Sequence, residues 1–357
     1  MKTLRRYIAS EIFVATGLVI LALVLLFAFF DVMDEMKDLG RGGYRMKHIA
    51  LHVLLSVPTH VYEVFPLATL IGTLFALSQL VASSEYTVMR ASGLSLARLH
   101  LSLVSIGAIF AIVTFVFGEF IGPPAEQLAQ RLRSLAIAGI VAQEFRSGLW
   151  VKDGRNFVNV GEVTPDSRLK RIRIYEFDND YRLLTLSFAD HATYVKERLW
   201  TLSDVTTTRF EGRRTQVVRT PELQWHSVLE PQLLSMLLVK PDQMSSWSLW
   251  SYAQHLKENR QKALRFEIAL WTKLMYPVAV LVMMILAVPF AYFQKRQGGV
   301  GARIFTGIML GLAFYVMNRL FGSLGLLYDW PAIVSAITPT LFFLTLALVM
   351  SWRQEQR

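Results

Sequence analysis

The chain has 357 residues, of which 53% are hydrophobic and 18% are charged, and its formal net charge is +10. So apolar a composition would be unusual for a soluble enzyme and indicates a membrane protein. The sequence contains no cysteine, which excludes disulfides, zinc–thiolate sites, iron–sulfur clusters and thiol nucleophiles. In a soluble protein the positive charge would suggest nucleic-acid binding, but here much of it flanks apolar runs, where orientation in a membrane explains it better.

Three long apolar runs precede a polar interruption and three follow it, so we predict six transmembrane helices in a 3+3 arrangement. Each run is long enough to cross the hydrocarbon core at about 1.5 Å per residue. Pro58 and Pro66 are expected to break the beginning of the second run. Because Glu63 lies between them, we expect the deeply buried part to start near Val64. The predicted spans are 12–30, a segment within 48–81, 99–117, 268–293, 304–324 and 332–352.

The distribution of lysine and arginine predicts which loops are cytoplasmic and which lie on the opposite side of the membrane. If the N-terminus is cytoplasmic, the cytoplasmic segments are rich in lysine and arginine, whereas the opposite short loops hold few basic residues and match them with carboxylates. The basic residues on the cytoplasmic side are then Lys2, Arg5, Arg6, Arg90, Arg98, Lys295, Arg296, Arg303, Arg353 and Arg357. We therefore expect both termini inside the cell and the polar interruption outside.

The interruption, residues 123–262, is long enough to form a folded domain between the membrane segments 1–122 and 263–357. Its two ends, 126–142 and 246–265, have the pattern of helical connectors. Between them the sequence changes to short alternating strands with turn signals at Asp153-Gly154 and Asn179-Asp180, which predicts an antiparallel β-sandwich or jelly roll. The predicted strands lie within 149–163, 172–177, 183–188, 192–195, 200–210 and 215–219.

The motifs of nucleotide and hydrolase chemistry are absent from the sequence. There is no G-x-x-x-x-G-K-[ST], no H-E-x-x-H and no G-x-S-x-G. His48 and His52 share a helix face and suggest a metal pair, but without a third ligand at sensible spacing we favour interfacial histidines. We therefore expect a chain without catalytic residues, metal or cofactor of its own.

The polar loop after the second run, residues 83–93, has the pattern of a short amphipathic helix. Glu85, Tyr86, Met89 and Arg90 fall along one face, and Gly93 is a natural end for such a helix. A helix of this kind between two spans can be the contact point for another protein. The alternative is an ordinary solvated loop.

At the end of the first run, a group of phenylalanines is followed in the sequence by a group of basic residues. A phosphorylated lipid head group over acyl chains would suit this arrangement, with interfacial anchoring of the helix as the alternative. The residues concerned are Lys37, Arg41 and Arg45 above Phe27, Phe29 and Phe30.

Arg319 lies inside the fifth run, near Phe314, Tyr315 and Phe321. An arginine within a membrane span has to face protein, water or a ligand. We therefore expect Arg319 to mark the interior face of its helix.

Four segments together resemble the LptF/LptG family of lipopolysaccharide-export permeases. Phe65-Pro66-Leu67 and the run Glu85 to Gly93 are similar to the second span and coupling helix of the family. Gly148 to Phe157, and Phe305-Thr306-Gly307 through Phe321-Gly322, are similar to its LptG branch in particular. The resemblance covers nearly the whole chain, including the 3+3 layout and the inserted β domain.

The resemblance implies half of an ABC transporter in the inner membrane of Gram-negative bacteria. Such a subunit pairs with an LptF-like permease and sits on a dimer of an LptB-like ATPase, which binds ATP and magnesium. It extracts lipopolysaccharide from the outer leaflet and passes it through a periplasmic β-jelly roll to LptC-like and LptA-like bridge proteins.

The resemblance also implies roles for individual residues. Glu85 would be the acidic contact with the ATPase, with Tyr86, Met89 and Arg90 beside it. Because Asp31 and Asp38 stand where the family suggests lysines, phosphate contacts would involve Arg41, Arg45 or Arg131 besides the matching residues Lys37 and Arg133. The lipid cavity would be lined by Phe27, Phe30, Val64, Phe65, Phe314, Tyr315, Arg319 and Phe321.

Two alternatives to this function stay open from the sequence alone. One is an LptF-type paralogue of the same complex, which the run Gly148 to Phe157 disfavours. The other is a membrane protein without transport activity, such as a periplasmic sensor or assembly scaffold with a ligand-binding sandwich. Such a protein would have no need for a Glu85 helix that engages an ATPase.

Overall fold

The computed structural model describes residues 2–92, 96–137, 148–154, 156–163, 168–196, 198–211, 214–227, 229, 241–258, 261–293 and 300–356. Before the β domain the helices are α1 (Lys2–Glu35), α2 (Met46–Ala82), α3 (Glu85–Ala91), α4 (Leu96–Val116) and α5 (Gly122–Ala136). A π-helical segment, Phe117–Ile121, joins α4 to α5. After the β domain they are α6 (Ser246–Glu258), α7 (Leu264–Phe293), α8 (Val300–Leu327) and α9 (Ala332–Glu355).

Six helical stretches among the described residues are long and apolar enough to cross a membrane, which confirms the predicted number of spans. They are Thr3–Asp38, Met46–Ala82, Arg98–Arg133, Leu264–Ala291, Ile304–Leu327 and Ala332–Arg353. Because successive spans alternate in direction, α3 and both ends of the chain lie on one side, here called the terminal side. The β domain and the turn between α1 and α2 lie on the other, here called the β side.

The expectation that two prolines break the second span was wrong. Helix α2 runs without interruption through Pro58 and Pro66. Its nearly continuous burial does begin at Val64, as expected, after isolated buried side chains nearer its start. A proline removes one backbone hydrogen bond, but packing against neighbouring helices holds a membrane helix together across that gap. Helices α1, α7 and α8 all pack on α2 and supply that support.

The membrane core lies where α2, α4 and α7 meet. Leu70 and Leu74 of α2, Leu103 of α4, and Val280 and Leu286 of α7 are fully buried there. In lipid, such packing depends on close van der Waals contact, because lipid tails are as apolar as the side chains. The outer helices α1 and α8 add only one face each to this core.

Two glycines of the packed helices allow the outer helices to approach α2 closely. A Cβ atom added to Gly72 of α2 would lie 2.6 Å from the backbone nitrogen of Thr16 in α1. A Cβ atom added to Gly311 of α8 would overlap the side chain of Leu67 in α2. Small residues at such crossings are typical of membrane helix pairs. Helices α1 and α8 are therefore both held against α2.

The insert forms one six-stranded antiparallel sheet in the order β1-β2-β3-β4-β5-β6. Its strands are β1 (Leu149–Asp153), β2 (Asn156–Val163), β3 (Leu169–Phe177), β4 (Leu183–Lys196), β5 (Leu199–Glu211) and β6 (Arg214–His226). The predicted turns at Asp153-Gly154 and Asn179-Asp180 connect β1 to β2 and β3 to β4. The inserted antiparallel β domain is thus confirmed. Its described strands follow one another as a meander, which the term jelly roll fits only loosely.

The sheet buries one face around Trp200. This side chain is fully buried, and its Nε1 donates a hydrogen bond to the backbone oxygen of Leu229 at 2.6 Å. Ile172, Ala192 and Leu202 are also fully buried in the same cluster. A buried indole needs an acceptor for its N–H group, and Leu229 provides it.

Three predicted boundaries in the insert were wrong. Residues 192–195 are not a separate strand, because β4 continues through them and pairs with β5 as far as Lys196. The connector predicted at 246–265 is two helices, since α6 ends at Glu258 and α7 begins at Leu264. The other connector begins at Gly122, earlier than expected, and residues 138–142 of that prediction lie outside the described part of the chain.

We expect Gly72→Ala to destabilise the protein by about 1–3 kcal/mol, the usual cost of overpacking a tight contact. The added methyl group would meet the backbone of Thr16 and push α1 away from α2. Gly17→Ala is the matched control, because an added Cβ atom at Gly17 has no neighbour within 4 Å. Thermal unfolding of the purified chain measures both. Equal melting temperatures for the two variants would contradict the close α1–α2 contact.

Candidate functional surfaces

The first candidate surface is α3 on the terminal side. Glu85 begins this helix, and its Oε2 accepts a hydrogen bond from the hydroxyl group of Tyr7 in α1 at 3.0 Å. Thr87 and Val88 are exposed beside it. No ion pair to Glu85 occurs within the described residues.

The four residues predicted on one face of α3 have different surroundings. Tyr86 and Met89 are buried and pack into the membrane core cluster, where they attach α3 to the spans. Glu85 is half-buried at the edge of that face. The side chain of Arg90 and the whole of Gly93 lie outside what the structure describes.

An ionic cluster on the β side joins the end of α1 to α5. The guanidinium group of Arg133 bonds Oε2 of Glu35 at 3.1 Å and also bonds a carboxylate oxygen of Asp38. The hydroxyl group of Tyr44 donates to Glu35 at 2.6 Å, and Nε2 of His52 lies 3.5 Å from the other Glu35 oxygen. Burial and the bond to Glu35 raise the pKa of Tyr44, so its hydroxyl group remains a donor. The cluster therefore fixes the end of α1 against α5 and the start of α2.

Three of the five cations predicted to bind a head group have carboxylate partners inside the chain. Arg133 is held in the ionic cluster, Arg41 pairs with Asp38, and Lys37 pairs with Asp34 at 2.7 Å. The other two, Arg45 and Arg131, are exposed and form no ion pair with any described residue. These two are therefore the predicted cations most available to an external anion.

The sequence did not predict a histidine–aspartate pair that joins α2 to α1. Nε2 of His60 lies 2.5 Å from Oδ2 of Asp31, and the ring of Phe27 stacks on the imidazole at a centroid distance of 5.3 Å. From the sequence, Asp31 is one of the carboxylates that match the basic residues of the short loops, and it stands where the family suggests a lysine. A buried acid near the end of a span predicts some cationic or donor partner, but the sequence does not indicate which residue supplies it.

The predicted cavity residues fall into an exposed group and a buried group. Phe30 of α1 and Tyr315 of α8 are 53% and 59% exposed, and Phe27 is exposed too. Val64, Phe65 and Phe314 are buried inside the chain, as Phe314 packs edge-on against Phe343 and Phe65 against Phe110. Phe321 is half-buried beside Trp330. Only the exposed group can touch a lipid without a rearrangement.

On both outer helices, the face that does not pack against the rest of the chain carries large, exposed apolar side chains. On α1 they include Val14, Leu18, Leu21, Leu25, Phe29 and Phe30, and on α8 Phe305, Leu312, Tyr315, Val316 and Leu320. Arg319 is exposed on α8 and forms no ion pair within the described part of the chain. A charged group in such a face needs an anion or a polar environment, and the described residues supply no ion-pair partner for it.

These features define a multi-pass membrane protein with an inserted β domain, apolar helix faces that the described residues do not cover, and a short helix on the terminal side that begins at Glu85. Residues 6–353 match the family described as lipopolysaccharide export system permease LptF/LptG. The chain belongs to this family.

Curated relatives narrow the resemblance to one branch. The chain is 34% identical to the lipopolysaccharide export system permease protein LptG of Haemophilus influenzae over 99% of this chain and 98% of that protein. It is 33% identical to the LptG protein of Escherichia coli with the same coverage, and 25% identical to the LptF protein of that species over 97% and 93%. The similarity to LptG proteins is confirmed, and a sensor or scaffold outside the family is disfavoured.

We expect Arg133→Met to lower stability by about 1–3 kcal/mol, because the mostly buried carboxylate of Glu35 loses its arginine partner. Adding Glu35→Gln should recover part of the loss by removing that charge, whereas Asp38 keeps its ion pair with Arg41 in both variants. Arg131→Met, on the same helix at an exposed and unpaired position, is the matched control and should leave stability unchanged. Thermal unfolding in detergent measures all three, and equal losses at 131 and 133 would contradict the cluster.

Proposed function

We propose that the chain is the LptG-type permease subunit of an ATP-driven exporter that extracts lipopolysaccharide from the outer leaflet of the inner membrane. The observation that carries the proposal is the pair of uncovered apolar helices, α1 and α8, in a member of this family. The ATPase, with its ATP and magnesium, belongs to a partner. In this orientation the terminal side is cytoplasmic and the β side periplasmic, as the distribution of lysine and arginine favours.

The faces of α1 and α8 form this chain's share of a lipid cavity that an LptF-like partner completes. Acyl chains contact Phe27 and Phe30 on α1 and Tyr315 on α8, where the side chains are exposed. The wall offers acyl chains an apolar contact similar to that of the bilayer they leave, and it shields them from water, whose contact would cost about 0.8 kcal/mol per methylene. Val64, Phe65 and Phe314 support the wall from behind.

Phosphate groups of the lipid are bound by cations that the chain leaves unpaired. Arg45 and Arg131 are exposed on the β side, where the head group of an outer-leaflet lipid lies. Arg133 contributes mainly by holding α1 in place, since Glu35 and Asp38 already take up its hydrogen-bonding groups. Arg319, deeper in α8, meets either a phosphate group or an acidic residue of the partner.

Helix α3 is the contact with the ATPase dimer. Glu85 presents an uncompensated carboxylate, while Tyr86 and Met89 anchor the helix to the spans. Movement of the ATPase is therefore passed to the membrane helices through packed side chains. The hydrogen bond from Tyr7 connects the same helix directly to α1.

The β domain receives the lipid on its way to LptC-like and LptA-like bridge proteins. Strands β1 and β6 are the two edges of the sheet as described, and β6 is largely exposed along its length. An exposed edge can add a strand from another protein by backbone hydrogen bonds. A continuous sheet across several proteins would keep acyl chains away from water.

We expect a tagged chain purified from membranes to retain an ATPase and a second permease, and Glu85→Ala to lose most of the ATPase. Removing the carboxylate deletes the charge that the partner meets, while the buried anchors Tyr86 and Met89 remain. Tyr7→Phe is the control, because it removes the internal hydrogen bond and keeps the charge of Glu85. Mass spectrometry of the bound proteins measures the result. A full complement of ATPase on the Glu85→Ala variant, with normal lipopolysaccharide transport, would contradict this role.

We expect photo-crosslinking amino acids at positions 30 and 315 to capture lipopolysaccharide in living cells. Position 314 is the matched control, since Phe314 is the sequence neighbour of Tyr315 but is buried against Phe343. Immunoblots for lipopolysaccharide on the purified chain measure the adducts. Equal adducts at 314 and 315, or none at 30 and 315 in a transport-competent strain, would argue against this cavity.

A further inference from the structure

Helix α6 is attached to the end of the third span by a half-buried carboxylate. The carboxylate of Glu119, in the π-helical segment after α4, accepts hydrogen bonds from the backbone N–H groups of Ser246 at 2.8 Å and Trp247 at 3.4 Å. A carboxylate at the start of a helix satisfies N–H groups that have no partner within the helix. The first turn of α6 therefore lies at the level where the third span ends.

The N-terminal end of α6 packs along the side of the first turns of α7. The ammonium group of Lys273 in α7 donates to the backbone oxygen of Met244, just before α6. Leu249 and Met244 pack in one cluster with Leu270. Because Lys273 lies about 13 Å along α7 from its start at 1.5 Å per residue, the beginning of α6 reaches down to the membrane-embedded part of that span.

The C-terminal end of α6 lies farther from the membrane-embedded part of α7 than its N-terminal end does. Leu256 packs with Ala263, just before α7 begins, and Lys262 lies 3.8 Å from Asp329 in the turn between α8 and α9. Helix α6 is therefore inclined, with its N-terminal turns at the depth of the membrane interface on the β side.

Two tryptophans project from those N-terminal turns without a partner in the described part of the chain other than each other. Trp247 and Trp250 are 71% and 46% exposed, and their ring centroids are 5.2 Å apart. The buried face of α6, with Leu249 and Ala253, is already occupied by its packing on α7. An exposed indole pair at this depth has the chemistry of the interfacial aromatic belt, since the ring is apolar and its N–H group needs a polar partner.

We propose that Trp247 and Trp250 form a lipid anchor, which inserts into the head-group region of the leaflet on the β side. The bound molecules are the bilayer lipids around the protein, whichever lipid it transports. The anchor lies where the chain returns from the β domain to the membrane, so it fixes the root of that domain relative to the lipid surface. Glu119 and Lys273 are the positioning residues that hold the anchor at its depth.

The test uses the full chain in nanodiscs of phosphatidylcholine brominated near the glycerol end of its acyl chains. Emission of the Trp247→Phe/Trp250→Phe variant is subtracted from that of the wild type, which isolates the two indoles from the other tryptophans. We expect this difference emission to lie at short wavelength and to be strongly quenched by the brominated lipid. Trp150→Phe is the control, because Trp150 is exposed in β1 and stacks on Tyr175, so its difference emission should be unaffected by bromine.

Two results would overturn the anchor. An unquenched difference emission at long wavelength would place the pair in water. An unquenched difference emission at short wavelength, in the complete complex, would mean that another protein covers it. Both side chains are exposed, so the phenylalanine variants should fold, and Trp247→Phe alone repeats the measurement at the more exposed position.

Discussion

The arrangement of the membrane part depends on the close packing of α2 with the helices around it. Gly72 lets α1 approach through Thr16, and Gly311 lets α8 approach over Leu67. Because both outer helices use one face for this contact, their opposite faces remain apolar and uncovered. The same packing that stabilises the chain therefore leaves apolar surface on α1 and α8 uncovered by the described residues, as it also does on α4 and α9.

Charges in and near the spans divide into those that the chain neutralises itself and those that it does not. Glu35, Asp38 and Arg133 neutralise one another where α1 meets α5, and Asp31 is matched by His60. Such groups contribute to structure, because separating them would leave carboxylates without partners in a poorly solvated place. Arg45, Arg131, Arg319 and Glu85 have no such match among the described residues, which is why the proposed function assigns their partners to other molecules.

Hydropathy and turn chemistry predicted most of the fold because both are local signals. The six spans and the turns at Asp153-Gly154 and Asn179-Asp180 follow from runs of residues that are adjacent in sequence. Local reasoning failed where tertiary packing decides the outcome. Helix α2 passes through Pro58 and Pro66 because neighbouring helices support it, and β4 continues through residues 192–195 because β5 extends beside it.

The sequence indicated which residues belong to a candidate site more successfully than it indicated what those residues contact. An amphipathic pattern selected Tyr86 and Met89 correctly as members of one face, but it could not indicate that this face packs inward. Cations counted near the end of α1 suggested a phosphate site, yet the partners that occupy Arg133 come from residues far away in sequence. Pairing across distant helices is not encoded in local spacing, and His60 and Tyr44 therefore became visible only in three dimensions.

The contact between α3 and α1 gives the proposed transport cycle a mechanical basis. Helix α1 is continuous over 34 residues, so it is about 50 Å long at 1.5 Å per residue. Tyr7 attaches its terminal-side end to Glu85, whereas Glu35 attaches its far end to Arg133 and Tyr44. A force on α3 would reach α1 through this hydrogen bond and through the core in which Ile8 and Ile12 are also buried. Phe27 and Phe30 lie nearer the end held by the ionic cluster, so tilting of α1 about that end would displace them less than the terminal-side half of the helix and would leave the cluster intact.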